Sequence, residues 1–384
     1  MANGELIYLD NAATGYPKPQ RVVDRVREFM QNDGGNAGRG SHELAMRAAQ
    51  TVFECRSRLA ELFDADNPER VCFALNTTQA LNTCIKGILK KGDHVLISDI
   101  EHNAVYRPVY KLYSSGIIEY DLFPSLALDP ERSAERICKG IEARVKRNTK
   151  MLICTGASNI CSATMPLFEI GRLCRRLGII FAVDGAQCAG HLPISLKKMN
   201  IDILCLPGHK GLLGPQGCGV MMLGRELQMN TLIEGGNGVD SLDGSMSYDI
   251  PERYEAGTLP LAAIAGLSAG LEVLRTIGID RIYEHERKLF CRACEQLGEI
   301  KGIRLYASQH EGAVLLFNID GKGSEESARL LAEAGICVRG GYHCCALGHK
   351  TLGSDTGGVR VSFGPFNSSD DVDALCRAVE EASR

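Results

Sequence analysis

A lysine and an aspartate stand where two short apolar runs break off, and their chemistry is complementary. Ile203-Leu-Cys-Leu-Pro-Gly-His-Lys-Gly-Leu-Leu-Gly-Pro-Gln-Gly-Cys-Gly219 opens as an apolar run ending near Leu206. It breaks at Pro207-Gly208 and presents His209 and Lys210 before a second glycine-rich turn. Such a run, bounded by turn signals, predicts a buried strand, and in open α/β sheets ligands bind beyond the carboxyl ends of the strands. An ammonium placed there can lose its proton and act as an amine nucleophile. An isolated Gly-His-Lys is more often a solvated loop, but a second strand end lies upstream. Gly178-Ile-Ile-Phe-Ala-Val-Asp-Gly-Ala-Gln187 is an apolar run that stops at Asp184. Alone, that aspartate reads as a cap or turn residue.

A carboxylate and an amine on neighbouring strand ends suit pyridoxal phosphate. The aspartate keeps the pyridine nitrogen protonated, so that the ring accepts electrons, and the lysine carries the cofactor as an imine. With these residues in place the sequence resembles the group II cysteine desulfurases of the class V aminotransferase superfamily, over nearly the whole chain. The resemblance extends to Val338-Arg-Gly-Gly-Tyr-His-Cys-Cys-Ala346, which is similar to the group II pattern Arg-x-Gly-x-His-Cys. It implies a catalytic thiol at Cys344, with Arg339 in the substrate site. A thiol nucleophile must be accessible and partly ionised, and a nearby cation lowers its pKa; His343 and the ring-bound amine chemistry are the expected sources of that environment. Cys345 stands where relatives usually carry alanine and reads as a structural thiol.

The same resemblance distributes further roles. Thr77 and Thr78 follow a predicted strand and open a predicted helix, where free N–H groups and the helix dipole favour phosphate; alone, the segment is an N-capping turn. His102 follows the next strand and is expected to stack on the pyridine ring. Gln187 is expected to bond the cofactor's phenolic oxygen, with Asn159 beside it in the cofactor site, and His209 to help hold its phosphate. Thr258, in Glu255-Ala-Gly-Thr-Leu-Pro260, resembles a residue donated to the phosphate by a neighbouring subunit. Arg360, in Gly358-Val-Arg-Val-Ser-Phe363, offers a guanidinium fork for bidentate capture of a carboxylate. Asn159 and His42 are expected beside it. Two departures stand out: Pro207 replaces a serine usually found before Gly-His-Lys, and Ser162 a glycine expected shortly after Ser158-Asn159.

The implied reaction converts L-cysteine to L-alanine, with the sulfur held on Cys344 as a persulfide and passed to an acceptor protein, as in iron–sulfur cluster assembly. Two alternatives accompany it. One is a selenocysteine lyase releasing selenium from L-selenocysteine, which differs from cysteine by one atom. The other is a non-catalytic class V aminotransferase-like partner protein, whose expected mark, loss of Lys210 or Asp184, is not found.

The elements that must position these groups alternate. Strands are predicted at Val71–Leu75, Asp93–Ser98, Met151–Thr155, Ile179–Val183 and Ile203–Leu206. Helices are predicted at Arg21–Gln31, Leu44–Leu62, Ala80–Leu89, Ala134–Arg147, Leu167–Leu177, Leu261–Ile277 and Asp280–Leu297. Strands alternating with helices imply a mostly parallel sheet covered on both faces, and the resemblance specifies a fold-type-I α/β enzyme with seven strands. A smaller α+β unit is expected at the C-terminus, with strands at Ile303–Ala307, Ala313–Ile319 and Val359–Phe363 and helices at Glu325–Ala334 and Ser369–Ala382. The expected division is an N-terminal segment, 1–14, that packs with the small domain near the active site, a cofactor domain, 15–256, and a small domain, 257–384, that carries the thiol.

Composition narrows the remaining classes. The 384 residues are 45% hydrophobic and 23% charged, ordinary for a globular protein. A net charge of −4 argues against nucleic-acid binding. No apolar run is long enough to span a bilayer, and Met-Ala-Asn-Gly-Glu lacks the features of a signal peptide. The 16 cysteines are scattered, so a reducing, cytoplasmic setting with free thiols is expected. Cys291-Arg-Ala-Cys294 has no second pair at zinc spacing, and no metal site is expected. Gly321-Lys-Gly-Ser lacks the earlier glycine of a P-loop. A homodimer is expected from the shared threonine.

Overall fold

In a computed structural model, which describes residues 6–38, 40–239, 241–307 and 311–384, the strands gather into three sheets. The expectation of no leader falls on residues 1–5, outside the described part, as does Arg39 of the glycine-rich stretch before His42. In chain order the strands are β1 (Ile7–Tyr8), β2 (Val71–Ala74), β3 (His94–Ser98), β4 (Glu119–Phe123), β5 (Thr149–Thr155), β6 (Ile180–Asp184), β7 (Ile203–Pro207) and β8 (Gly219–Leu223). The series continues with β9 (Ile303–Leu305), β10 (Val314–Ile319), β11 (Ile336–Cys337), β12 (Arg339–Gly341) and β13 (Gly358–Ser362). The large sheet has seven strands in the order β2-β8-β7-β6-β5-β3-β4, parallel except at β8, which runs antiparallel to both neighbours.

Successive side chains on a strand point to opposite faces, and the two sides of this sheet are both apolar. Leu96, Leu152, Phe181, Val183, Leu204 and Leu206 join one core, with Phe29, Val52, Leu59, Leu267 and Leu271 from the helices Gln20–Asn32, Glu43–Leu62 and Leu261–Ile277. Val95, Ile97, Met151, Ile153, Ala182, Ile203 and Cys205 join the other, beneath the helices Thr77–Ile88 and Asn103–Ser114. Burial on both faces is why these strands read as unbroken apolar runs rather than as alternation. The α/β sheet of seven strands expected from the sequence is therefore the one that forms.

The smaller unit packs the helices Ile279–Glu299 and Ser369–Ser383 on the sheet β12-β13-β10-β9, through Phe290, Leu297, Leu315, Phe317, Val361, Leu375 and Val379. The N-terminal segment reaches it as well. Ile7 and Tyr8 pair in parallel with Ile336 and Cys337, and Asp10 bridges to Ser362. Among the described residues, no single helix is long and apolar enough to cross a membrane.

Candidate active site

Five chain segments meet beyond the carboxyl ends of the parallel strands. They form a cleft lined by Thr77, Thr78, His102, Asn159, Asp184, Gln187, His209 and Lys210, among others. β6 delivers Asp184, which is 2% exposed, and β7 runs through Pro207 into His209-Lys210. Pro207 is tolerated as the last residue of its strand, opposite Gly219 in β8. A Cβ on Gly219 would lie 2.3 Å from the Asn76 backbone carbon, so only glycine lets β8 approach the start of the Thr77–Ile88 helix.

The electrostatics of the cleft are those of a dry site. Burial pushes the Lys210 ammonium down to about 8, with the Asp184 charge opposing and Arg360 assisting. Burial raises the Asp184 carboxyl, against a hydrogen bond from Ala186 N at 3.0 Å and the Lys210 charge. His102 caps the Asn103–Ser114 helix, its Nδ1 accepting Ala104 N at 3.0 Å, so the proton of the neutral ring sits on Nε2. Burial, then Lys210, Arg360 and Arg107, hold its pKa near 4 and keep the ring neutral. His209 is also held near 4, by burial and by Lys210 and Lys18. Its Nδ1 lies 3.1 Å from the Thr14 hydroxyl, which itself donates to His209 O at 3.2 Å.

Whether pyridoxal phosphate fits is decided by which polar atoms lack partners. The N-cap of the Thr77–Ile88 helix is Asn76, which accepts Gln79 N at 2.9 Å; neither threonine is the cap. That corrects the capping role considered for Thr77 or Thr78. It leaves Thr77 Oγ1 buried and without a partner at a helix N-terminus, where an anion is favoured. Asn159 Oδ1 and Arg360 Nε are likewise buried and unpaired. Gln187 uses one Nε2 hydrogen on Ala12 O, at 3.0 Å, and keeps another. Hydroxyl and N–H donors at one end, a buried carboxylate at the other and an amine beside it match a phosphorylated pyridine aldehyde.

Arg360 is 4% exposed and does not face an empty fork. Its Nη2 donates to Asp10 Oδ1 at 2.6 Å and its Nη1 to Asn159 O at 3.2 Å. Arg339 holds the other oxygen of Asp10, at 2.8 and 3.1 Å.

The thiol loop is a turn. Cys344 and Cys345 are not consecutive residues of an extended strand: His343 and Cys344 lie in the left-handed region, at φ 51° and 53°. The two thiols nonetheless part. Cys344 is exposed, while Cys345 is fully buried with its Sγ 3.5 Å from the carbonyls of Ile100 and Glu101. The loop is tied to the cleft by Asn159 Nδ2 donating to His343 O at 2.8 Å and by Asn103 N donating to Cys344 O at 2.7 Å. His343 does not supply a cation. Burial drives its pKa to about 3, and Nε2–H donates to Arg339 O at 3.0 Å. The cation near Cys344 is Arg339, whose pKa is raised first by its bond to Asp10 and in part by the Cys344 charge.

Two expected residues do not join this cleft within one chain. Thr258 lines a separate cleft with Ala37, Gly38, Phe53 and Glu255. His42 caps the Glu43–Leu62 helix, accepting Ala45 N at 3.3 Å. Conversely, the turn just after the N-terminal segment, at the start of the expected cofactor domain, makes contacts that the sequence reading did not assign. Gly15 N and Lys18 Nζ donate to His209 O at 3.0 and 2.7 Å, and a Cβ on Gly15 would lie 2.9 Å from Lys210 O. The Thr-Gly pair ahead of a proline-rich turn was the available signal.

Comparison with known proteins agrees with this geometry. The family model described as aminotransferase class-V matches residues 7–375. A probable cysteine desulfurase of Methanothermobacter thermautotrophicus is 33% identical, over 98% of this chain and 94% of its own length. The apo structure of a cysteine desulfurase from Thermococcus onnurineus superposes with a TM-score of 0.88 at 30% identity, covering 98% of this chain and 94% of that one. The Escherichia coli cysteine desulfurase CsdA gives 0.86 at 29% identity, covering 98% and 94%.

Proposed function

The chain belongs to the aminotransferase class-V family, and from that premise we propose that it is a pyridoxal phosphate-dependent cysteine desulfurase, turning L-cysteine into L-alanine and taking the sulfur on Cys344. The observation that carries the reading is the exposed Cys344 thiol on a turn anchored to the cleft by Asn159 and Asn103. A plain aminotransferase has no use for a nucleophilic thiol there.

When bound, pyridoxal phosphate supplies an electron sink for the substrate's α-carbon. The residues do the rest. Thr77, Thr78 and the N–H groups at their helix start would hold the phosphate, with His209 beside them. Asp184, buried and in need of a cationic partner, holds the pyridine N–H. The His102 ring, held neutral, would lie against the bound ring without adding charge. Lys210 sits close enough to neutrality near pH 8 to move a proton at the α-carbon in both directions. Arg360 takes the α-carboxylate through its unpaired Nε. The Cys344 thiolate attacks the substrate sulfur; the carbon–sulfur bond breaks as the S–S bond forms. In sum, Cys344–SH plus L-cysteine gives the Cys344 persulfide plus L-alanine. A second thiol, on an acceptor protein, then takes the terminal sulfur and regenerates Cys344.

We further propose a homodimer in which Thr258 and His42 serve the partner's cleft. Neither joins the cleft of its own chain, and Met46 and Phe53 are exposed on the neighbouring Glu43–Leu62 helix.

The test is alanine formation from L-cysteine in the presence of a thiol, with L-selenocysteine run beside it. Cys344→Ala should bind cofactor normally yet fall to near background with L-cysteine, and Cys345→Ala should keep most activity. If the Cys345 variant is the inactive one, the assignment of the sulfur carrier is wrong. Absence of alanine from the unmodified holoenzyme refutes the desulfurase reading itself. Turnover of selenocysteine alone makes the protein a selenocysteine lyase.

A further inference from the structure

Behind the turn that presents Cys344, three polar side chains are joined in a row, and two of them, His349 and Ser354, are buried. His349 lies on the short helix Ala346–Leu352, and Ser354 follows just past its end. His349 Nε2 is 3.3 Å from His343 Nδ1, with the two rings stacked 5.6 Å apart. On the far side, His349 Nδ1 is 2.8 Å from Ser354 Oγ. The remaining nitrogen of His343, Nε2, is 3.0 Å from Arg339 O in β12.

The carbonyl at one end settles every proton in the row. Arg339 O can only accept, so His343 Nε2 carries a hydrogen and, the ring being neutral, Nδ1 is bare. A bare Nδ1 needs a donor, which His349 Nε2–H supplies. His349 Nδ1 is then bare in turn and accepts the Ser354 hydroxyl, for which His349 O, at 3.4 Å, is the longer alternative. Burial lowers the pKa of both imidazoles and so keeps one proton on each. The bonds therefore run one way, from Ser354 to His349 to His343 to Arg339 O.

His343 and Cys344 need such support, because both adopt left-handed backbone that side chains disfavour. Asn159 Nδ2 and Asn103 N hold the two carbonyls of the turn from the cleft side. The row holds the His343 side chain from the small domain, through β12 and the Ala346–Leu352 helix. A ring released by His349 is free to turn off Arg339 O as well, and the turn can then relax towards extended backbone.

We infer that His349 and Ser354 are positioning residues for the sulfur transfer: by donating in sequence to His343 they hold the left-handed turn on which Cys344 meets the substrate sulfur. The kinetic part of this rests on the desulfurase reading; the structural part does not.

Four variants test it. His349→Leu should lower kcat for alanine formation from L-cysteine about tenfold, the worth of one buried hydrogen bond. KM and cofactor loading, the latter followed by absorbance, should stay within about twofold, since neither uses the thiol. His349→Gln offers an amide N–H where the imidazole Nε2–H stood and should come within about twofold of wild-type kcat. Ser354→Ala lets His349 donate from Nδ1 to the carbonyl of residue 354, 3.3 Å away, which turns a bare Nε2 towards the bare Nδ1 of His343. It should therefore lose activity as His349→Leu does, whereas Ser354→Thr should not. In apoenzyme the amides of Asn103 and Cys345, which the turn protects through Cys344 O and Tyr342 O, should exchange about tenfold faster in His349→Leu and Ser354→Ala and unchanged in His349→Gln. Wild-type kcat in His349→Leu overturns the inference, as does a glutamine variant as impaired as the leucine one. If His349→Leu does not fold, the serine pair decides: Ser354→Ala equal to wild type, or Ser354→Thr as impaired as Ser354→Ala, overturns it. If unmodified holoenzyme makes no alanine, the desulfurase reading fails, and amide exchange still decides the row, since unchanged exchange in His349→Leu and Ser354→Ala refutes it.

Discussion

Glu101→Gln isolates a charge that the fold suppresses beneath the cofactor cleft. Glu101 is fully buried, its Oε1 accepting the Ser98 hydroxyl and Thr155 N, at 2.7 Å for the latter, while Oε2 has no partner. Burial is the largest of the causes that raise its pKa from 4.5 to about 8, and the Asp184 charge adds to it. At neutral pH the folded protein therefore holds a proton on Glu101 that the unfolded chain has released. Where the folded state binds more protons, stability falls as pH rises, at about 1.4 kcal/mol per pH unit for one group. Between about pH 5.5 and about pH 7.5 this one carboxyl should remove about 2–3 kcal/mol. Glutamine keeps the acceptor for Ser98 and Thr155 and cannot ionise, so its slope from this position is absent. Urea unfolding of both proteins, at fixed protein and cofactor concentrations because each binds the folded state, should show the glutamine variant gaining about 2–3 kcal/mol relative to wild type from the lower pH to the higher. A difference between the two proteins that is the same at both pH values refutes the reasoning. The functional corollary is that Asp184 remains the one negative charge under the ring only while Glu101 is neutral.

Two further outcomes follow from the same cleft. The rate at which apoenzyme takes up pyridoxal phosphate should rise with pH through about 8 and then level off, since burial lowers Lys210 and the neutral amine is the nucleophile; a flat rate across that range rules this out. Thr77→Val should weaken cofactor binding by about tenfold, the worth of one hydrogen bond to a charged group, without destabilising apoenzyme, because Asn76 is the cap. Asn76→Ala should instead cost apoenzyme about 1 kcal/mol, and equal apoenzyme stability for Asn76→Ala and wild type counts against that division.

How far the sequence was legible depended on how local the signal was. The helices Leu167–Leu177 and Leu261–Ile277 fall where their apolar periodicity predicts, to the residue. The Asn103–Ser114 helix was not predicted; it carries Pro108 internally and a run of tyrosines, both weak helix signals. β4 is a half-polar strand at the sheet edge, and β8 begins in the glycine-rich stretch that masked it. Asp184 and Lys210 were readable because each ends its own apolar run. Asp10 was not, since its meaning comes from Arg339 and Arg360, 329 and 350 residues away. Such pairings leave no periodicity in the chain.

The thiol loop is held by contacts from distant parts of the chain. Left-handed backbone at two successive non-glycine residues costs about 1–2 kcal/mol for each, and the contacts that hold it are spread over the molecule. His343 O and Cys344 O are drawn to Asn159 and Asn103 at the ends of β5 and β3, and Cys345 N closes the turn on Tyr342 O at 3.0 Å. The His343 ring is pinned between Arg339 O and His349 Nε2, at 3.0 and 3.3 Å. Drawing both carbonyls inward leaves the Cys344 side chain outside and buries Cys345. The fold thus provides accessibility, and with His343 neutral the positive charge in reach of the thiol is that of Arg339. Asp10 holds that same guanidinium through its Oδ2, at 2.8 and 3.1 Å.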